Sequence, residues 1–242
     1  MSVAGTAKIA LEHINGGAAS SGKSWSMGNQ LTFSGSGELD NGMNVSLSFV
    51  LDQGDDETDT STQSGNSPFD SHSVSVGMDG LGTLTFAGEG GDSAVGAMDG
   101  SAAGGMWDNF QAAADEPESG HSSNDMLSYA LPTIFDDLAL AASYTPNGDG
   151  GANSSTSFSA TYTGVEGLTI AYGQGEDNKT TATADATAWK VSYAYGPFTA
   201  TATDLEYDHE TATSSRDMSS MQVAYTVSDE ISITYGEEEI TD

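Results

Sequence analysis

LTFSGSGELDNGMNVSLSFVLD, residues 31–52, is the stretch that decides how this chain folds. Leu31 and Phe33 alternate with Thr32 and Ser34, Asp40-Asn41-Gly42 breaks the pattern, and Val45, Leu47, Phe49 and Leu51 then alternate mostly with serines. Period-two alternation on both sides of an Asn-Gly signal predicts a β-hairpin. The polar face is built of Ser, Thr and Gly rather than Lys and Glu, which suits a wall whose second face meets confined water.

Outward from this hairpin the same unit repeats. Ala7, Ile9 and Leu11 predict a first strand near 4–14, and a Gly/Ser loop follows over 16–28. His72, Val74, Val76 and Met78 form one face of a strand whose partner carries Leu84 and Phe86. Alternation stops from about Gly90 to Ser122, a Gly/Ala/Asp/Glu-rich segment holding Met106, Trp107 and Phe110. An insertion of this length inside a regular β protein is functional or disordered, and its clustered apolar residues favour one that folds back onto the protein. Alternation resumes at Leu127 and continues through Leu138–Tyr144, Phe158–Tyr162, Leu168–Tyr172, Trp189–Tyr195, a weaker stretch at Phe198–Tyr207, Met221–Val227 and Ile231–Tyr235. This makes about 13 strands, most of roughly 8–11 residues, long enough to cross a bilayer at a tilt. Tight connections alternate with long polar ones, and tyrosines recur at strand ends, both features of an up-and-down transmembrane barrel.

Composition narrows the function. The chain has 242 residues and reads as one domain over 1–242. Thirty-six acidic residues against five Lys and Arg give a formal charge of −31, so nucleic acid is excluded as a partner. Cysteine is absent, which removes disulfides and thiolate metal sites. No apolar run reaches the length of a transmembrane helix. Met1-Ser2-Val3 does not open a signal peptide, so a mature form or a cytosolic protein is expected. No G-x-S-x-G, H-E-x-x-H or P-loop is present, and the chain is read as no enzyme.

Three pieces carry a likeness to a known family: FSGSGELDNGMNVSLSF at 33–49, SHSVSVGMDGLGTLTFAGEGGDSAVGAM at 71–98, and LSYALPTIFDDLALAASYTPNGDG at 127–150. In this order and spacing the chain resembles the general diffusion porins of the Gram-negative outer membrane. The resemblance implies an all-β antiparallel up-and-down barrel of 16 strands, a homotrimer among lipid and lipopolysaccharide, and a third loop, here 90–122, folded inward as a constriction. The chain departs from the family pattern in two ways. It ends at Glu237-Glu238-Glu239-Ile240-Thr241-Asp242 without a terminal aromatic, so the expectation is either that further C-terminal strands follow or that the alternation hides additional strands. It also has few basic residues to set against the acidic loop.

Candidate functional residues follow from parity and charge. If Ala7, Ile9 and Leu11 face lipid, Lys8 faces the lumen, and by the same reasoning so does Lys190. Asp92, Asp99, Asp108, Asp115, Glu116 and Glu118 lie in the proposed inward loop. Carboxylates along a narrow aqueous passage attract cations, so small hydrophilic solutes and cations are the expected cargo, with an acidic lumen and mouth. Asp55, Asp56 and Asp59, with Glu57, and Asn147 and Asp149, with Asn153, offer hard oxygen ligands suited to Ca²⁺; no other cofactor is expected. The rival reading is a secreted, acidic, calcium-dependent adhesin or surface-layer module. It would bury Leu47, Phe49, Tyr193 and Val223 in a sandwich core, where the barrel sets them against lipid.

Overall fold

The computed structural model describes residues 1–14, 22–52, 71–98, 100, 102, 124–133, 137–146, 154–178, 183–210, 215–228 and 231–241, with the side chains at 8, 10–29 and 52 outside the description. Thirteen strands run in chain order: β1 Ser2–Ile14, β2 Gly22–Glu38, β3 Asn44–Asp52, β4 Ser71–Met78, β5 Gly82–Glu89, β6 Met126–Ala130, β7 Leu138–Thr145, β8 Ser155–Val165, β9 Leu168–Asp177, β10 Ala184–Tyr195, β11 Phe198–His209, β12 Arg216–Ser228 and β13 Ile231–Thr241. Each pairs antiparallel with its sequence neighbours in one sheet, with β1 and β13 as its two edges among the described residues. One short 3₁₀ turn, Gly96–Met98, lies between β5 and β6.

The hairpin read first turns over Leu39–Met43, where the Leu39 N–H donates to Met43 O (2.8 Å) and the Asn41 side-chain oxygen accepts from the Met43 N–H (3.2 Å). Gly42 supplies the positive φ, +82°, that this turn requires. One expectation needs correction: the loop placed at 16–28 is shorter, because β2 begins at Gly22. The strand expected at Phe198–Tyr207 despite its weaker alternation forms as β11.

Burial runs opposite to that of a soluble protein. Leu47 is 40% exposed, Tyr193 45% and Val223 47%, while Ala186, Ala188, Ser155 and Ser157 on the other face are buried. Among the described residues there is a single sheet and no second one to cover those large side chains, so the sandwich alternative fails. An apolar surface of this extent is a lipid-facing surface.

The apolar band also shows how the strands tilt. Phe86, Leu127 and Tyr144 occupy one ladder row of the outer face, and the same row continues through Thr156, Glu176, Asp185 and Asp208. It starts in hydrocarbon-seeking residues and ends in carboxylates. The large outer side chains step away from this row: Phe158 lies two residues from Thr156, Tyr172 four from Glu176, and Trp189 four from Asp185. Tyr235 of β13 shares a row with Val223 and Ala200, eight residues from Asp208. From β5 to β13 the band thus shifts about one residue per strand. At about 3.3 Å per residue and about 4.8 Å between strands this corresponds to a tilt of about 35°, within the range of transmembrane barrels.

Candidate functional site

The site lies on the inner face, where small side chains predominate over β3 to β5. Inner positions of β3, β4 and β5 are Ser46, Ser48, Ser73, Ser75, Thr83 and Thr85, and hydroxyls pair across strands there, Ser75 with Thr85 at 2.8 Å. Ser192 and Thr201 do the same at 3.0 Å on β10 and β11. Such a surface hydrogen-bonds water readily and carries little charge.

Around β7 to β12 the inner face is covered. After β5 the chain turns back over the wall, and its backbone is held by buried serine hydroxyls. The Ala94 N–H donates to Ser143 Oγ (3.2 Å), the Val95 N–H to Ser157 Oγ (3.3 Å) and the Ala102 N–H to Ser220 Oγ (2.7 Å). Ser143 and Ser157 hydrogen-bond each other at 2.6 Å, joining two of the three anchors. Val95, with none of its surface exposed, and Met98 pack with Ala171, Ala186, Ala188, Leu205 and Met218 in a dry cluster, flanked by Tyr207 and Ile240. A serine serves here because its hydroxyl satisfies a backbone N–H that burial would otherwise strand at about 1–3 kcal/mol.

Of the candidate residues, Asp92 stands at the start of this segment, exposed, its carboxyl pushed above the ordinary aspartate value by partial loss of water. Lys190 is on the inner face with Ala186 and Ala188, paired across to Ala171 and Thr203. Lys8 pairs with Gly28 through its backbone, but its side chain lies outside the described residues. Asp99, Asp108, Asp115, Glu116 and Glu118 lie outside them as well, as do the calcium candidates Asp55, Asp56, Asp59, Asn147 and Asp149. No group of three or more metal-ligating side chains occurs among the described residues.

The expectation that carboxylates line the lumen needs correction for the described strands. Glu176, Asp185, Asp204, Glu206, Asp208, Asp217, Glu237 and Glu239 alternate with the inward residues and take outer positions at the long-loop ends. Inner positions there hold Asp177, Arg216 and Glu238, so charge on the described inner wall is sparse and mixed in sign. The parity that oriented Lys190 would have found this, since Trp189 and Asp204 are cross-strand partners. Sequence reasoning missed Ser143, Ser157 and Ser220 as anchors of the inward segment, because nothing local separates them from other lumen-facing serines.

A family model described as "Gram-negative porin" matches residues 1–241. The chain belongs to that family. Like its members it is a protein of the Gram-negative outer membrane, and the long-loop end of the sheet is the extracellular end. No curated protein matches it by sequence. Among solved structures, OmpF of Salmonella typhi in complex with daunomycin is similar at TM-score 0.69 and 11% identity, over 98% of this chain and 77% of that one. The anion-selective porin of Comamonas acidovorans matches at 0.64 and 14%, covering 97% and 78%. A triple mutant of the Rhodopseudomonas blastica porin matches at 0.52 and 14%, covering 99% and 96%. At these identities the likeness is one of fold. The porin wall of this chain presents its apolar band outward and carries a backbone segment inside.

Proposed function

We propose that this porin is a passive diffusion channel for small hydrophilic solutes and ions, with a preference for cations and no enzymatic activity. The observation that carries the reading is that residues 93–98 and Ala102 are seated on the inner face of a wall whose outer face is apolar. A chain folded there narrows whatever passes through. In this proposal 1–242 forms a single barrel domain with 90–122 as its constriction, the pore is a homotrimer as the family resemblance implies, and Asp92, Asp99, Asp108, Asp115, Glu116 and Glu118 border the passage together with Lys8 and with Lys190, whose strand also carries the segment's seat. No cofactor is required; calcium at the acidic loops would stiffen the entrance only.

Support for the cation preference comes from the entrance more than the wall. The chain carries −31, while its described inner wall holds few and opposed charges. A field arising from an acidic mouth raises local cation concentration and is screened by salt over about 10 Å at 0.1 M. Reversal potentials in planar bilayers under a KCl gradient test this. Cation selectivity is expected at low salt and should weaken as the concentration of both sides rises. An anion-selective sign, the property named for the Comamonas acidovorans porin, would remove the claim, and an absence of conductance would remove the channel.

A further inference from the structure

We infer that Gly173, in the middle of β9, is a positioning residue that sets how far the inward segment stands from the wall and so the free cross-section of the pore. The inference rests on the channel reading above. A Cβ at Gly173 would lie 3.1 Å from Val95 Cα, 3.2 Å from Met98 Sδ and 3.3 Å from Val95 Cγ2. All three are tighter than ordinary van der Waals contact. The Met98 thioether can swing aside. Val95 Cα cannot, since it belongs to a backbone tied on both sides.

Those ties fix the direction of any displacement. The Ala94 and Val95 N–H groups are held by Ser143 on β7 and Ser157 on β8, and the Met98 N–H closes the 3₁₀ turn on Val95 O at 2.9 Å. Atoms added at 173 have the sheet behind them and the segment in front. They push the segment away from the sheet, toward the passage. Gly77 on β4 provides the contrast. It shares the inner face with Ser73 and Ser75, and a Cβ there meets nothing nearer than Asn44 O at 3.7 Å. A side chain at 77 adds bulk to the lumen wall without touching the segment.

The test compares G173A, G173V and G77V in planar bilayers and in liposome swelling with sugars. G173V is expected to lower single-channel conductance by roughly a third and sugar flux by more, because larger solutes feel the narrowing first. G77V should stay close to the parent. A second readout uses the absence of cysteine from the chain. V95C alone should resist a water-soluble maleimide, because Val95 is wholly buried, and should become reactive when combined with G173V. Should G173V fail to fold, G173A carries the same two readouts with smaller changes. Equal conductance of G173V and G77V, with V95C still protected, would overturn the inference. A parent protein that forms no channel while V95C is protected would instead defeat the functional reading and leave the seat at Gly173 standing.

Discussion

The inner wall has two halves that look alike in sequence and behave differently. Over β3 to β5 its Ser and Thr side chains are half-exposed and pair with one another. Beneath the inward segment on β7 to β12, Ser143, Ser157 and Ser220 are buried among Ala and Gly, and their hydroxyls receive the backbone of another part of the chain. Small polar residues on a strand therefore do not specify a wet surface. They specify a surface that either water or a backbone can occupy, and the arrival of residues 93–98 and Ala102 decides which.

If this contrast is sound, substitutions in the covered half should cost far more than equivalent ones in the open half. The largest effect is expected at Met218, which is 1% exposed within the dry cluster. Met218→Ala should destabilise the folded protein by about 2–5 kcal/mol, read as a lower urea midpoint for the gel-shift of unheated protein in lipid. An effect below about 0.5 kcal/mol would mean the cluster is not packed.

Ser157→Ala comes next. It removes the acceptor of the buried Val95 N–H and the partner of Ser143, at an expected cost of about 1–3 kcal/mol with noisier open-channel current. Ser75→Ala deletes a comparable hydroxyl pair in the open half. Water replaces the lost partner there, so the change should stay within about 0.5 kcal/mol. Equal costs for the two serines would erase the distinction between the halves.

The smallest effect concerns Asp92. Its carboxyl is raised by desolvation, so its ionised form opposes the folded state. That opposition is absent below the ordinary aspartate range and grows as pH rises through the raised value. Asp92→Asn should flatten a slight loss of stability that sets in as pH rises above the ordinary aspartate range, measured as urea midpoints across the acid range. A midpoint profile unchanged by the substitution would mean that Asp92 is fully solvated.

The strands were legible because alternation is a local property. Leu47, Phe49, Tyr193 and Val223 announced their face without reference to any partner, and thirteen strands in chain order follow from that and from the turns. Where outer residues were small, as at Ala200 and Ala202 in β11, the signal faded. The start of β2 was readable in the alternation of Trp25 and Met27 but was masked by the surrounding Gly and Ser. The seat of the inward segment could not be read, since Ser143, Ser157 and Ser220 lie 49, 62 and 118 residues from their partners. Only the sheet brings them to one place. The outward acids are hidden for a different reason: net charge carries no parity, and only the alternation of each strand places Glu176, Asp185 and Asp204 on the outer face.

The oblique course of the outer band means that hydrogen-bonding partnership and immersion depth are separate coordinates in this protein. Tyr144 and Glu176 are two strands apart on one ladder row, yet one belongs to the oily zone and the other to brine. A spin-label or quencher survey should therefore group Phe86, Tyr144, Phe158, Tyr172, Trp189 and Tyr235 as a single contour, a spiral traced across the pairing rather than along it.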